Sequence, residues 1–358
     1  MKVGIVGLPN AGKSTLFNAL TKGGAETGDY PFTTIDPNIA VVPVPDERLE
    51  RVAETVGSSE VVFDTIQFHD IAGLVRGASE GEGLGNQFLA AIRETDAICH
   101  VVRAHESSGV PHPEGRVDPA DDIELIELEL LAADLEQARR RLERVTKQAR
   151  SGDKALVAER DWLEAVVAAL EEGRPVRDVP APDDAPDAPR LLQALTSKPV
   201  LYVANVDEGS DEVPAAVAEH AAKRGAQAVA VSARVEAELA EIDDPEEARE
   251  LREELGITEA GLVRVIRAAF RLLDLISFFT AGEGKEAMSR NLKRGSTAWE
   301  AAGKIHTDIQ RGFVRAEVVA WDELVDAGGY AGARERGTLR LEGRDYVVQD
   351  GDVITIKV

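Results

Sequence analysis

The chain has 358 residues, 44% of them apolar, and a formal net charge of −24. That length exceeds one compact domain and leads to an expectation of two or three, with enough apolar content to bury cores. The acidity disfavours non-specific nucleic-acid binding, no apolar run approaches the roughly 18 residues of a membrane span, and a lone cysteine, Cys99, rules out an intrachain disulfide. Lys2 leads into a short apolar strand rather than an export signal, so a reducing cytoplasm is the expected compartment.

In chain order, residues 2–6 read as a buried strand, followed by a glycine-rich loop and a helix over 13–20. Further strands are predicted at 61–69, 97–102, 200–204 and 226–231, with a helix at 84–93. Strands alternating with helices indicate a mostly parallel α/β sheet. Within it, Leu128, Leu131, Leu135, Ala138, Leu142, Val145 and Ala149 are spaced as a heptad seam. Ser151-Gly152-Asp153 breaks that helix, and Leu156, Leu163, Val166 and Leu170 mark a second one. The expectation is an antiparallel coiled-coil hairpin inserted over 121–195, with Arg139, Arg140, Arg141, Arg144, Lys147, Arg150, Lys154 and Arg160 forming a basic cluster at its tip. The Pro/Asp-rich stretch 173–190 reads as a mobile linker back to the sheet. The first domain is expected to span 1–255, and a helical segment over 260–275 follows its last strand. A small α+β domain over 276–358 is predicted to follow, with strands at 314–320, 338–341, 346–348 and 353–357 and a helix at 298–306.

Gly7-Leu8-Pro9-Asn10-Ala11-Gly12-Lys13-Ser14 fits G-x-x-x-x-G-K-[ST], placed after a strand and opening a helix. The glycines let backbone N–H groups turn inward around phosphate oxygens, and the helix N-terminus adds partial positive charge. Asn10, Ala11, Gly12, Lys13, Ser14 and Thr15 are therefore the expected phosphate-binding residues, with Lys13 reaching the β- and γ-phosphates and the Ser14 hydroxyl on Mg²⁺. Asp70-Ile71-Ala72-Gly73 ends the next strand. Asp70 is expected behind the Mg²⁺ shell, and the Gly73 N–H is expected to sense the γ-phosphate. In the intervening segment 30–37, Thr34, in preference to Thr33, would complete the metal shell. Asn205-Val206-Asp207-Glu208 stands where a guanine-specific enzyme carries N-K-x-D, and Ser232 opens the last base-binding loop. Val206 and Glu208 replace the Lys and Asp, which weakens discrimination for guanine. A one-residue slip that brings in Asp207 would restore it.

These motifs, together with Y-P-F-T-T-I-D-P-N at 30–38 and the glycine-rich stretch at 77–85, resemble the Obg-like ATPases, the YchF-type branch of the translation-factor P-loop GTPases. The resemblance spans nearly the whole chain, including a C-terminal segment, L-E-G-R-D-Y-V-V-Q-D-G-D-V, that looks like a TGS domain of the β-grasp type. It implies an OBG-type G domain, Mg²⁺-dependent hydrolysis of ATP in preference to GTP, and association with the ribosome, its large subunit and rRNA being the plausible contacts. A monomer is the expected oligomeric state. Residues 286–292 depart from the branch's usual segment, so no binding role is carried onto them.

Leu74 occupies the position where Ras-like enzymes orient the attacking water with a glutamine, and a leucine cannot hydrogen-bond water. Two substitutes are visible: His112, in a loop rich in turn-forming residues, and Asn10, whose side chain could hold a K⁺ beside the phosphates. His69, His100, His105, His220 and His306 show no zinc spacing. The competing functions are a GTP-using translation factor, through Asp207, and a nucleotide-gated adaptor whose hydrolysis is incidental, through Leu74.

Overall fold

The computed structural model describes residues 1–25, 38–71, 84–105, 112–113, 115–242, 244–255, 257 and 259–358. The predicted switch segment with Thr34, together with Gly73, Leu74 and most of the 77–85 stretch, lies outside these residues. The strands are β1 (Lys2–Val6), β2 (Ile39–Pro43), β3 (Glu60–Val62), β4 (Thr65–Asp70), β5 (Ala97–Arg103), β6 (Val200–Asn205), β7 (Gln227–Val231), β8 (Leu275–Thr280), β9 (Glu286–Lys293), β10 (Arg315–Ala320), β11 (Arg340–Glu342) and β12 (Asp352–Lys357). The chain divides into two compact units, one built mainly from Met1–Gly23 and Gln67–Ala269, the other from Val41–Ile66 and Phe270–Val358. The expected first domain of 1–255 includes 41–66; in the structure the segment between β2 and β4, with Leu49, Val52 and Ala53, packs within the second unit.

The first unit holds a six-stranded sheet in the order β2-β4-β1-β5-β6-β7. Its β1–β4, β1–β5, β5–β6 and β6–β7 pairs are all parallel. Strands covered on both faces read as unbroken apolar runs, and β5 is buried at every position. The register does the functional work. Ile5 pairs with Asp70, Arg103 with Asn205, and Asn205 with Val231, so the loops after β1, β4, β5, β6 and β7 open at one edge. Open parallel sheets bind ligands at that carboxyl edge.

The hairpin forms as its pattern indicates. Its first helix, Pro119–Gln148, is capped by Asp118, whose carboxylate accepts from Asp121 N, and has Pro119 in its first turn. Its second helix, Lys154–Glu171, is capped by Asp153, which accepts from Ala155 N and Leu156 N. Leu131, Ala138 and Val145 pack with Trp162, Leu163, Val166 and Leu170. Leu128, predicted to begin the seam, is 63% exposed. At that level the helix instead turns Ile126 and Leu130 toward the core that includes Val6, Ile98 and Leu195, so the seam starts at Leu131. The stretch 173–190 is not the free linker expected: Val176, Ala188 and, just beyond, Leu192 are buried in the hairpin core. The Asp134 carboxylate fastens the returning chain, accepting from Leu195 N at 2.8 Å and from Thr196 N and Oγ1 at 2.7 Å each.

The predicted strand 61–69 is two strands belonging to different sheets. β3 pairs with β9, and β4 pairs with β1. The second unit's sheet runs β11-β10-β12-β8-β9-β3. β12 lies parallel to β8, while β8–β9 and β10–β12 are antiparallel. One face packs Phe278, Val318 and Ile354 with the helix Ala298–Ile305, giving the β-grasp arrangement. The other core joins Leu49, Val52 and Ala53 to Phe279, Val319 and Val353. Residues 346–348, predicted as a strand, contribute only an isolated bridge between Val347 and Thr297.

Candidate functional site

At the carboxyl edge of β1 the chain turns through Gly7 to Gly12 into the helix Lys13–Ala25. Two glycines are obligatory. At Gly7, with φ 154°, an added Cβ would stand 2.3 Å from Val101 O; at Gly12, with φ 99°, it would stand 2.2 Å from Asn205 Nδ2. Asn10 also adopts a left-handed conformation, φ 64°. The loop thus curls against β5 and β6 with the helix N-terminus at its end, which suits an anion.

Lys13 is buried, and its Nζ donates to Leu8 O at 2.8 Å. Burial pulls its pKa below the ordinary value, opposed by the charge of Asp70. A buried ammonium that donates to a backbone carbonyl, with no charge-neutralising hydrogen bond among the described residues, favours an incoming anion. Ser14 Oγ lies 3.3 Å from Asp70 Oδ2. Asp70 Oδ1 is buried and has no hydrogen-bond partner among the described residues. An exposed hydroxyl beside a carboxylate with one unsatisfied oxygen is an all-oxygen donor set, the kind that suits Mg²⁺, so the residues present fit that ion.

Beside the loop lies a cleft of about 660 Å³, the size of a small-molecule site. Asn10, Gly12 and Thr15 line one side, and Asn205, Val206, Asp207, Glu208, Ser232, Ala233, Arg234 and His105 line the rest. Asn205 is buried and holds the two sides together: Nδ2 donates to Ala11 O at 3.0 Å, and Oδ1 accepts from Ala233 N at 3.0 Å. Val206 belongs to a core cluster with Tyr202 and Val217 while also facing the cleft. Asp207 and Glu208 both line the cleft and both are exposed. Arg234 belongs to the loop opened by Ser232, whereas His105 is not among the residues predicted for the site. The signal that would have found His105 is its position two residues past the end of β5, the strand that pairs with β6.

His112 is neither in the cleft nor exposed. Its Nε2 lies 2.8 Å from Asp122 Oδ2, and both side chains are nearly buried, at 5% and 6% exposure. Burial raises the Asp122 pKa, and the hydrogen bond to His112 opposes that shift. The basic cluster is largely compensated: Arg139 pairs with Glu171, Arg140 with Glu136, Arg141 with Glu159, Lys147 with Glu143 and Arg160 with Asp161. Arg144, Arg150 and Lys154 are exposed and make no ion pair among the described residues.

No helix among the described residues is long and apolar enough to cross a membrane. Those residues hold no group of three or more His, Cys, Asp or Glu side chains placed to bind a metal by themselves.

A phosphate-cradling loop on a parallel sheet, with a hydroxyl–carboxylate pair beside it and a cleft at the strand ends, defines a P-loop nucleoside triphosphatase domain. A family model described as "50S ribosome-binding GTPase" matches residues 2–143, and the YchF-GTPase_C model, described as a protein of unknown function, matches residues 275–358. The chain is 50% identical to the ribosome-binding ATPase YchF of Bacillus subtilis, over 99% of this chain and 98% of that protein. It is 51% identical to the protein of the same name in Escherichia coli O157:H7, over the same shares. The solved structure of the Schizosaccharomyces pombe YchF GTPase superposes with a TM-score of 0.88 at 35% identity, covering 100% of this chain and 97% of that one. The chain belongs to the YchF family.

Proposed function

We propose that this chain is a cytoplasmic, Mg²⁺-dependent ATPase that works as a nucleotide-controlled switch on the ribosome. The observation that carries the reading is the Ser14–Asp70 pair at 3.3 Å beside the buried Lys13. The relatives named as ribosome-binding ATPases support the base and the partner.

In this reading the amides from Asn10 to Thr15 and the Lys13 ammonium hold the phosphates. Ser14 and Asp70 would hold Mg²⁺, and Thr34 and Gly73 would respond to the γ-phosphate. The metal supplies charge neutralisation for the transferred phosphoryl group. Asn205 positions the two walls of the cleft, Val206 gives apolar surface to the base, and Glu208 and Ser232 complete its polar surroundings. Asn10 is the candidate ligand for K⁺, whose charge would replace an arginine finger. Equal turnover in Na⁺ and K⁺ would remove that role. A water-orienting role for His112 requires that its imidazole part from Asp122, and unchanged turnover in His112→Ala would count against it.

Because Asp207 also lines the cleft, a GTP-using factor is the second reading. Competitive titration of ATP and GTP, with and without ribosomes, separates them. Tighter ATP binding and ribosome-stimulated hydrolysis support the ATPase switch. Tighter GTP binding supports the alternative, and hydrolysis indifferent to ribosomes points to an adaptor.

A further inference from the structure

His105 follows β5 on the carboxyl edge of the sheet, next to the strand end that supplies Asn205. The backbone reinforces the placement: Ala104 N donates to Asn205 O at 2.9 Å, and the His105 carbonyl accepts from Arg103 Nε at 3.2 Å. The ring lines the cleft and, among the described lining residues, is the one aromatic surface there.

Its protonation state follows from its neighbour. The Asn205 amide cannot be turned over, because Oδ1 accepts from Ala233 N while Nδ2 donates to Ala11 O. Nδ2 therefore also faces His105 Nε2 as a donor, at 3.3 Å. The imidazole nitrogen must accept, which makes the ring neutral with its proton on Nδ1. A neutral imidazole presents a π-face, and every purine has one to stack on it. Val206 adds apolar surface on the same cleft.

We propose that His105 is a base-recognition residue, the aromatic wall against which the nucleotide's purine stacks while its Nε2 holds the Asn205 amide in register. This rests on the reading of the cleft as a nucleotide site, and it adds a contact made with the base rather than with the phosphates.

A consequence is acid sensitivity. A protonated ring can only donate, so it would oppose the Asn205 Nδ2 donor and lose the hydrogen bond. Charged groups around it act in both directions. Burial and the Arg103 guanidinium push the His105 pKa below its ordinary value of 6.5, and Asp207 opposes them. Glu208 and Arg234 also face the cleft. Purine affinity is therefore full at neutral pH and falls only below 6.5, as the neutral ring is titrated.

The test is calorimetric titration of Mg²⁺-ATP and of inorganic tripolyphosphate with Mg²⁺ into the full chain, His105→Ala and His105→Phe, from pH 5.5 to 8. Loss of stacking in His105→Ala should weaken ATP by about tenfold at neutral pH, with tripolyphosphate unchanged. His105→Phe should keep ATP affinity at neutral pH and lose the part of the acid dependence that belongs to this ring. Equal ATP affinity in wild type and His105→Ala, or a parallel fall for tripolyphosphate, would overturn the proposal. A wild-type chain that binds neither ligand would instead overturn the nucleotide reading of the cleft, and this inference with it.

Discussion

Asn205 and Ala11, 194 residues apart in sequence, are joined by a 3.0 Å hydrogen bond from the Asn205 side chain to the Ala11 carbonyl. Through this contact the loop after β6 is tied to the phosphate loop, and the second oxygen–amide bond to Ala233 N extends the tie to the loop after β7. Asn205→Ala leaves both backbone groups without a partner in a buried place, at a cost of about 1–3 kcal/mol for each. Affinity for ATP and for GTP should fall together by at least about tenfold. Calorimetry on the variant checks this, and a selective loss of one nucleotide would argue that Asn205 reads the base rather than bracing the cleft.

Lys13 gives a pH prediction. Its folded pKa lies below the ordinary 10.5, first because it is buried. Between that lowered value and 10.5, the unfolded chain holds a proton the folded chain has released, so stability from this group rises with pH. Below the folded value, the full cost of burying the charge is present. Lys13→Met should be more stable than wild type at neutral pH, and the gap should close toward alkaline pH. Urea unfolding of both proteins across that range measures it.

Asp134 sets the hairpin's base. Its carboxylate takes three hydrogen bonds from Leu195 and Thr196. Burial raises its pKa, and those bonds hold it down. Asp134→Ala strands buried donors, and a loss of about 3 kcal/mol is expected in chemical unfolding. A loss under about 0.5 kcal/mol, the size of an ordinary surface change, would mean the hairpin's own core carries the junction.

Ribosome association should depend on the unpaired cations of the hairpin rather than on the whole basic cluster. Replacing Arg144, Arg150 and Lys154 with Ala should lower the salt dependence of binding by a slope of about 2 in log–log terms. Replacing Arg139, Arg140 and Arg141, whose charges are already matched by Glu171, Glu136 and Glu159, should do less. Sedimentation with ribosomes across a salt series distinguishes the two variants, and a larger effect of the second would contradict this assignment.

What was legible in the sequence was local. Gly7 to Ser14 is contiguous, and its strand–loop–helix context is encoded within about twenty residues. Asp70 lay at the end of a strand that could be read from its own alternation. The rest depends on which sheet or face a segment meets. Residues 61–69 alternate like one strand, but Asp64 accepts from the Thr65 and Asn291 amides between β3 and β4, and the two strands join different sheets. Leu128 fits the heptad spacing, yet at that level the helix buries Ile126 and Leu130 instead. Val176 and Ala188 are sparse among prolines and aspartates, so composition suggested a linker where each residue fills a core. His105 carried no motif, and only the pairing of β5 with β6 brings it to the cleft. His112 was read from its loop, while its partner Asp122, inside the following helix, became visible only in three dimensions.

The central claim, that the loop from Gly7 to Ser14 with Asp70 binds a Mg²⁺–triphosphate, is tested most directly by titrating Mg²⁺-ATP into wild-type protein and Lys13→Ala under identical conditions. Saturable binding by the wild type, abolished by the substitution and by removal of Mg²⁺, is the predicted result. Full affinity in Lys13→Ala, or binding indifferent to Mg²⁺, would contradict the account.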